Sequence, residues 1–151
     1  MWSAFPVCLR RHLALTVERG PCGEKVGRAS DVEAKEATLG GGEKVPGVYI
    51  RWLISSEDGA PTFAMRLFTV EPGAHIPGHK HPWEHEIYVL RGSMRIRIGQ
   101  REYSVSRGGF VYVPPNVEHE YFAGEDGVEF LCIIPLRPSV DGSYNPCKPS
   151  A

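Results

Sequence analysis

A series of short apolar segments at close spacing is the feature that most constrains the fold of this chain. The segments are rich in β-branched and aromatic residues, and glycine, proline, serine or asparagine separates them. The segment 94–98 alternates apolar side chains with Arg95 and Arg97, which is the period of a half-buried strand. No helical period of any length competes with this pattern. We therefore predict an all-β protein, built as a barrel or a jelly-roll sandwich. The predicted strands are 48–54, 63–70, 87–90, 94–98, 102–105, 110–113, 119–122 and 128–134.

The length of 151 residues suits a single domain with a sizeable core. We expect a flexible leader at 1–25, the domain at 26–136 and a C-terminal surface tail at 137–151. Residues 31–37 are helix-permissive, and Gly99-Gln100 predicts a tight hairpin turn.

Four of the six histidines lie between residues 75 and 85, and three of these have a spacing that suits one metal ion. His79 and His81 are two residues apart, so an extended strand would place both imidazoles on one face. His85 begins the next apolar segment, and His119 ends a second segment punctuated by glycine and proline. Alternate side chains of a closed barrel point inward, so these four can meet in one cavity. Burial of several imidazoles without a metal would leave polar nitrogens unsatisfied, and we predict a metal site on these four residues.

Both histidine segments resemble the two sequence motifs of the cupin superfamily. The matching positions are Gly73, His79, His81 and Gly92 in the first motif and Gly108, Pro114 and His119 in the second. Two positions depart from the pattern: His85 replaces the usual glutamate, and Asn116 replaces a glycine at a turn whose left-handed conformation asparagine tolerates. The histidine makes the chain similar to small single-domain cupins, or monocupins, that hold manganese on four histidines. The resemblance covers residues 26–136 and implies the cupin double-stranded β-helix, a jelly-roll barrel.

The metal follows from the charge and number of the ligands. Four neutral imidazoles leave the charge of a divalent ion uncompensated, and in an octahedral shell they leave two positions open. That arrangement suits Mn²⁺ or Fe²⁺, whereas a closed tetrahedral shell would suit structural Zn²⁺. The resemblance favours Mn²⁺, with Fe²⁺ next and Ni²⁺, Cu²⁺ or Zn²⁺ also compatible.

Residues near the predicted ligands are candidates to support them or to line a pocket. These are Trp83, Glu86, Phe110, Tyr121, Phe130 and Cys132. Glu86 directly follows His85 and points to the opposite face of a strand, so it either accepts a hydrogen bond from a ligand or lies on the surface. Cys132 is a pocket wall, a redox partner or a small buried apolar residue. His12 and His75 fall outside the motif and are assigned to the core or the surface.

Composition excludes several classes of function. The net charge is −1 with interleaved signs, which predicts no nucleic-acid partner, and the apolar run 13–17 is too short to cross a membrane. Four cysteines without CxxC spacing favour a reducing compartment, so we expect a cytoplasmic protein.

Two functions remain open. The first is a mononuclear metal oxidoreductase of dioxygenase type that acts on a small organic molecule, because no other catalytic constellation appears in the sequence. The second is a non-catalytic cupin that binds or senses a small ligand. The resemblance also implies a homodimer, in which a strand at 26–30 could be exchanged between protomers.

Overall fold

The computed structural model describes residues 16–147, and this part of the chain consists of strands, turns and two single-turn 3₁₀ helices at Ala29–Asp31 and Ser56–Asp58. The strands are β1 (Glu18–Arg19), β2 (Lys25–Val26), β3 (Lys35–Thr38), β4 (Lys44–Ile54), β5 (Phe63–Val70), β6 (His75–His79), β7 (His85–Ile98), β8 (Arg101–Ser106), β9 (Phe110–Val113) and β10 (His119–Pro135). The all-β prediction is confirmed. Among residues 16–147, no helix is long and apolar enough to cross a membrane.

Eight of the strands form one antiparallel sheet in the order β3-β4-β5-β10-β7-β8, with β6 paired to β10 and β9 paired to β7. β1 and β2 form a separate two-stranded sheet. The strands β7 and β10 therefore lie at the centre of the sheet, and the other strands pair outward from them on both sides.

These two central strands are longer than the sequence predicts, because β7 spans both 87–90 and 94–98 and β10 spans both 119–122 and 128–134. They pair over most of their length, with an irregular register between Ala123 and Val128. Gly92 has a φ of 72°, and a β-carbon at this position would lie 2.0 Å from the carbonyl oxygen of Gly127. The strands can approach each other this closely because Gly92 has no side chain to meet that carbonyl.

The core lies between the inward faces of the barrel strands. On β5, alternation buries Ala64, Phe68 and Val70, and Phe68 stacks on Phe130 of β10 with ring centroids 4.9 Å apart. Burial of a side chain such as Phe68 or Val70 contributes about 1.5–3 kcal/mol relative to exposure. This core holds the strands that carry the histidines in a fixed register.

The N-terminal part of the domain differs from the sequence-based expectation. The helix-permissive segment 31–37 forms no α-helix, because its end pairs as β3 with β4 and buries Ala37. Residues 25–26 pair with β1 of the same chain, and 29–31 form a 3₁₀ turn, so 26–30 is not one continuous strand available for exchange. The described part of the predicted flexible leader, 16–25, thus contains a small hairpin. The rest of that prediction lies outside the described residues.

Beyond β10, residues 137–147 contain no strand. Asn116 holds this tail, since its side-chain amide donates hydrogen bonds of 2.9 Å to the carbonyl oxygens of Asp141 and Tyr144. Asn116 has a φ of 61°, which confirms the left-handed turn predicted at this position.

Candidate metal centre

The four predicted histidines come together where three strands begin or end. His79 is the last residue of β6, His85 the first of β7 and His119 the first of β10, directly opposite His79 in the β6–β10 pairing. His81 lies beyond the end of β6, so the expectation that one strand face carries both His79 and His81 is wrong. The connection between β6 and β7 returns His81 to the cluster. There the backbone N–H of Asn116 donates a 2.8 Å hydrogen bond to the His81 carbonyl oxygen. One ligand atom from each of the four histidines lies within 4.8 Å of every other.

Backbone carbonyls fix the orientation of three of the four rings. The Nδ1 atoms of His79, His81 and His119 donate to the carbonyl oxygens of Pro77, Trp83 and Val117, at 2.8, 2.9 and 2.8 Å. A carbonyl can only accept, so each Nδ1 carries the hydrogen and each Nε2 keeps a free lone pair. Three lone pairs are thus directed by backbone hydrogen bonds to the rings, which is the usual arrangement of metal-ligating histidines.

The fourth ring, His85, is oriented by side chains. Its Nδ1 lies 3.1 Å from Cys132 Sγ and 3.3 Å from Arg66 Nη2. Arginine only donates, so in the tautomer that binds a cation through Nε2 the Nδ1 hydrogen is donated to Cys132 Sγ. His85 then keeps the Nε2 lone pair, and this Nε2 lies 2.8 Å from Nε2 of His81. Cys132 is therefore more than an apolar residue, since it supports a candidate ligand.

Burial favours the neutral form of His81, His85 and His119. Desolvation lowers the pKa of His81 and of His119 to about 4, and the charges of neighbouring histidines add to the effect. Desolvation lowers the pKa of His85 further, helped by the nearby Arg66 guanidinium. Neutral imidazole is the form that ligates a metal, so the site is ready for a cation at neutral pH.

A divalent cation fits this donor set. The His119 side chain is 1% exposed, and its Nε2 is a buried polar atom with no hydrogen-bond partner among residues 16–147. An unpaired buried nitrogen costs free energy, and a bound ion would satisfy it together with the other three lone pairs. Four neutral nitrogen donors suit borderline ions such as Mn²⁺, Fe²⁺, Ni²⁺, Cu²⁺ or Zn²⁺ rather than the oxygen-seeking Ca²⁺ or Mg²⁺.

A cavity of about 540 Å³ opens beside the histidines. Its wall comes from the inward faces of β3, β4, β5, β6, β7 and β10, and apolar and aromatic side chains dominate it. The aromatic side chains that line it are Trp52, Phe68, Trp83, Tyr121 and Phe130. Burial raises the pKa of Tyr121 well above its usual value, so its hydroxyl stays neutral.

The predicted pocket residues separate into two groups. Trp83, Tyr121, Phe130 and Cys132 all line the cavity, and Trp83 stacks on His81 with centroids 4.1 Å apart. The prediction that Phe110 lines the pocket beside the histidines is wrong, because Phe110 is 81% exposed on the outer face of β9. Glu86 is exposed on the outer face of β7, so of its two predicted roles it is a surface residue and does not support a histidine.

The sequence assigned His75 and His12 to the core or the surface and gave no role to Arg66. His75 lies on the surface, where it pairs with Glu120 and stacks on Phe122. His12 lies outside the described residues. Arg66 was not predicted, although its strand alternation with Ala64, Phe68 and Val70 is the signal that places it inward.

Fold and site together define a class: a small antiparallel β-barrel with four converging imidazoles beside an apolar cavity. The family described as "Cupin domain" matches residues 66–134, which include all four histidines. The solved polyketide cyclase RemF from Streptomyces resistomycificus is 32% identical, with a TM-score of 0.69, over 78% of this chain and 82% of that one. The chain belongs to the cupin superfamily.

Other solved structures share the fold at lower identity. A putative ethanolamine utilization protein Q from Salmonella typhimurium is 19% identical with a TM-score of 0.66, over 83% of this chain and 95% of that one. A cupin 2 conserved barrel domain protein from Rhodopseudomonas palustris is 21% identical with a TM-score of 0.63, over 82% of each chain. No curated protein sequence matches the chain significantly.

Proposed function

We propose that this protein is a metal-dependent cupin enzyme that closes a ring in a small, planar, carbonyl-bearing organic molecule. The observation that carries the proposal is the convergence of four imidazoles, one of them with an unpaired buried Nε2, beside an aromatic-lined cavity. The similarity to a protein named as a polyketide cyclase supports the reaction type.

The proposed ligands are His79, His81, His85 and His119. A divalent cation held there would supply Lewis acidity toward a carbonyl oxygen and, if redox-active, a site for oxygen chemistry. Mn²⁺ remains our expected ion and Fe²⁺ the next, on the grounds of the neutral donor set and the resemblance to four-histidine cupins.

The chain's own side chains have three roles in such a ring closure. The apolar wall excludes water and confines the substrate, which brings two of its atoms into reacting distance. The stacked rings of Phe68 and Phe130 offer flat surfaces to a planar molecule. In an aldol closure an α-carbon loses a proton and the attacked carbonyl oxygen gains one, and the neutral hydroxyl of Tyr121 can donate a hydrogen bond to that oxygen as the carbon–carbon bond forms.

Oxygenation of dioxygenase type is the second candidate reaction. It is favoured by the four neutral ligands, which leave the cation's charge uncompensated and, in an octahedral shell, two positions free. The two reactions differ in electron balance, because ring closure by aldol condensation is redox-neutral whereas oxygenation consumes O₂.

The metal site is tested by removing single ligands. We expect His81→Ala and His119→Ala to lose stoichiometric metal, measured by elemental analysis, while circular dichroism still reports a folded β-protein. Glu86→Gln, on the outer face beside His85, is the matched control and keeps the metal. Full metal content in both histidine variants would mean that these residues are not the ligands.

The reaction is tested with Zn²⁺-, Mn²⁺- and Fe²⁺-loaded protein on linear β-polyketones, β-diketones and phenols. Ring closure predicts cyclic product without oxygen and with redox-inert Zn²⁺. Oxygenation predicts O₂ consumption with Mn²⁺ or Fe²⁺ only. Tight binding of one compound with neither reaction would overturn both and favour a binding or sensing protein.

A further inference from the structure

Arg66 is a buried cation without an anionic partner. Its residue is 8% exposed on the inward face of β5, and no carboxylate among residues 16–147 forms a salt bridge with it. Burial of an ion is costly unless a counter-charge or several hydrogen bonds compensate it. The uncompensated charge therefore points to a partner that is not part of the described chain.

The contacts of Arg66 position the guanidinium but do not neutralise it. Nη2 donates to Cys132 Sγ at 3.0 Å, and the guanidinium carbon lies 5.4 Å from the Trp52 ring centroid and 5.0 Å from that of Phe68. The Nε–H is buried without a hydrogen-bond partner within the described chain. Aromatic faces hold an arginine in place while its N–H groups remain available for recognition.

The cavity that Arg66 lines carries only positive formal charge. Lys80 lines the exposed end of the same cavity, and neither Asp nor Glu occurs among the described residues of its wall. An apolar cavity with one buried and one exposed cation would attract an anion by its field and bind it by charge-assisted hydrogen bonds.

We propose that Arg66 binds a carboxylate of the ligand, so that the molecule taken by this cavity is a planar aromatic or conjugated carboxylic acid. This inference rests on the proposed function. Arg66 lies on the Nδ1 side of the His85 ring, whereas Nε2 of that ring faces the histidine cluster. The carboxylate and the group presented to the histidines are therefore separate parts of one ligand, which carries two oxygen functions.

The test compares 2-naphthoate with its neutral isostere 2-naphthamide by titration calorimetry, on metal-free and on Zn²⁺-loaded protein. We expect the wild type to bind the carboxylate about ten- to a hundredfold more tightly than the amide in both forms, as a hydrogen-bonded charge pair predicts. Arg66→Met should remove this preference while the amide binds within about threefold of wild type, because the methionine keeps the apolar contact.

Two further variants separate recognition from a structural role. Arg66→Lys keeps the charge and should retain part of the carboxylate preference. Arg95→Met removes an arginine that pairs with Glu102 on the outer surface and should leave both affinities unchanged. If Arg66→Met does not fold, Arg66→Gln replaces it, with the same expected loss of preference.

Three results would each overturn the proposal. The wild type binds the two probes with equal affinity, the wild type binds neither probe, or the carboxylate preference survives loss of Arg66. Failure of the metal site has a different signature. In that case elemental analysis finds no stoichiometric metal, yet the carboxylate preference of the metal-free protein still reports on Arg66.

Discussion

Acidification of the metal-free protein should destabilise it steeply, because the histidine cluster is buried in neutral form. The pKa values of His81 and His119 are lowered to about 4 by desolvation, and that of His85 is also lowered, whereas in the unfolded chain each titrates near 6.5. Between these values the unfolded chain binds protons that the folded protein does not. Stability is therefore complete above about pH 6.5 and is lost as the pH falls toward about 4.

The magnitude follows from the number of protons. Each proton bound only by the unfolded state lowers the free energy of unfolding by about 1.4 kcal/mol per pH unit. Three histidines would give about 4 kcal/mol per unit near pH 5, and about 3 if His81, which is only partly buried, is discounted. A domain of this size is stable by about 5–15 kcal/mol, so two pH units can remove much of its stability.

The assay is urea denaturation at pH 7, 6 and 5 after treatment with a chelator. His119→Gln cannot bind the extra proton, so its stability should depend on pH less steeply, by about 1.4 kcal/mol per unit. Mn²⁺ at a hundredfold excess over its Kd should add about 2.7 kcal/mol at pH 7. Constant stability of the metal-free wild type between pH 7 and 5, or an unchanged slope in His119→Gln, would refute buried neutral imidazoles.

Three other predictions concern single residues. Cys132→Ala should weaken metal affinity about 10–100-fold in chelator competition, because His85 loses the acceptor of its Nδ1 hydrogen. Cys132→Ser keeps an acceptor and should lose less metal affinity, and equal losses in the two variants would contradict this role. Gly92→Ala should lower the free energy of unfolding by about 2 kcal/mol or more, since alanine is strained at a φ of 72° and meets the Gly127 carbonyl; an unchanged denaturation midpoint would contradict it. The homodimer stays a proposal, for which we expect Phe110→Ser on the exposed outer face to give monomers in sedimentation, and a monomeric wild type would exclude it.

Much of the fold was predictable because strand periodicity is a local signal. The segments 63–70 and 110–113 form β5 and β9 with the predicted bounds. The joining of 87–90 and 94–98 into the single strand β7 was not predictable, because a glycine at position 92 locally predicts the end of a strand. What continues the strand is its pairing with β10, where the absence of a side chain at Gly92 leaves room for the Gly127 carbonyl.

The pocket was predictable only in part, because alternation does not say which face of a strand is buried. In β9 both faces are apolar, and the structure turns Val113 inward and Phe110 outward. Arg66 escaped prediction for the opposite reason, since a charged residue is normally assigned to the surface. Its place in the wall depends on the strands packed around it.

The amino-acid sequence by itself determined the all-β class, which follows from the period of single segments, and the four histidines, which follow from two segments that resemble the cupin motifs. Tertiary structure decided how those histidines behave. Desolvation sums over side chains from many distant segments, and it lowers the pKa of His81 and of His119 from the ordinary value near 6.5 to about 4. The same packing leaves the charge of Arg66 facing a cavity, which no local pattern could reveal.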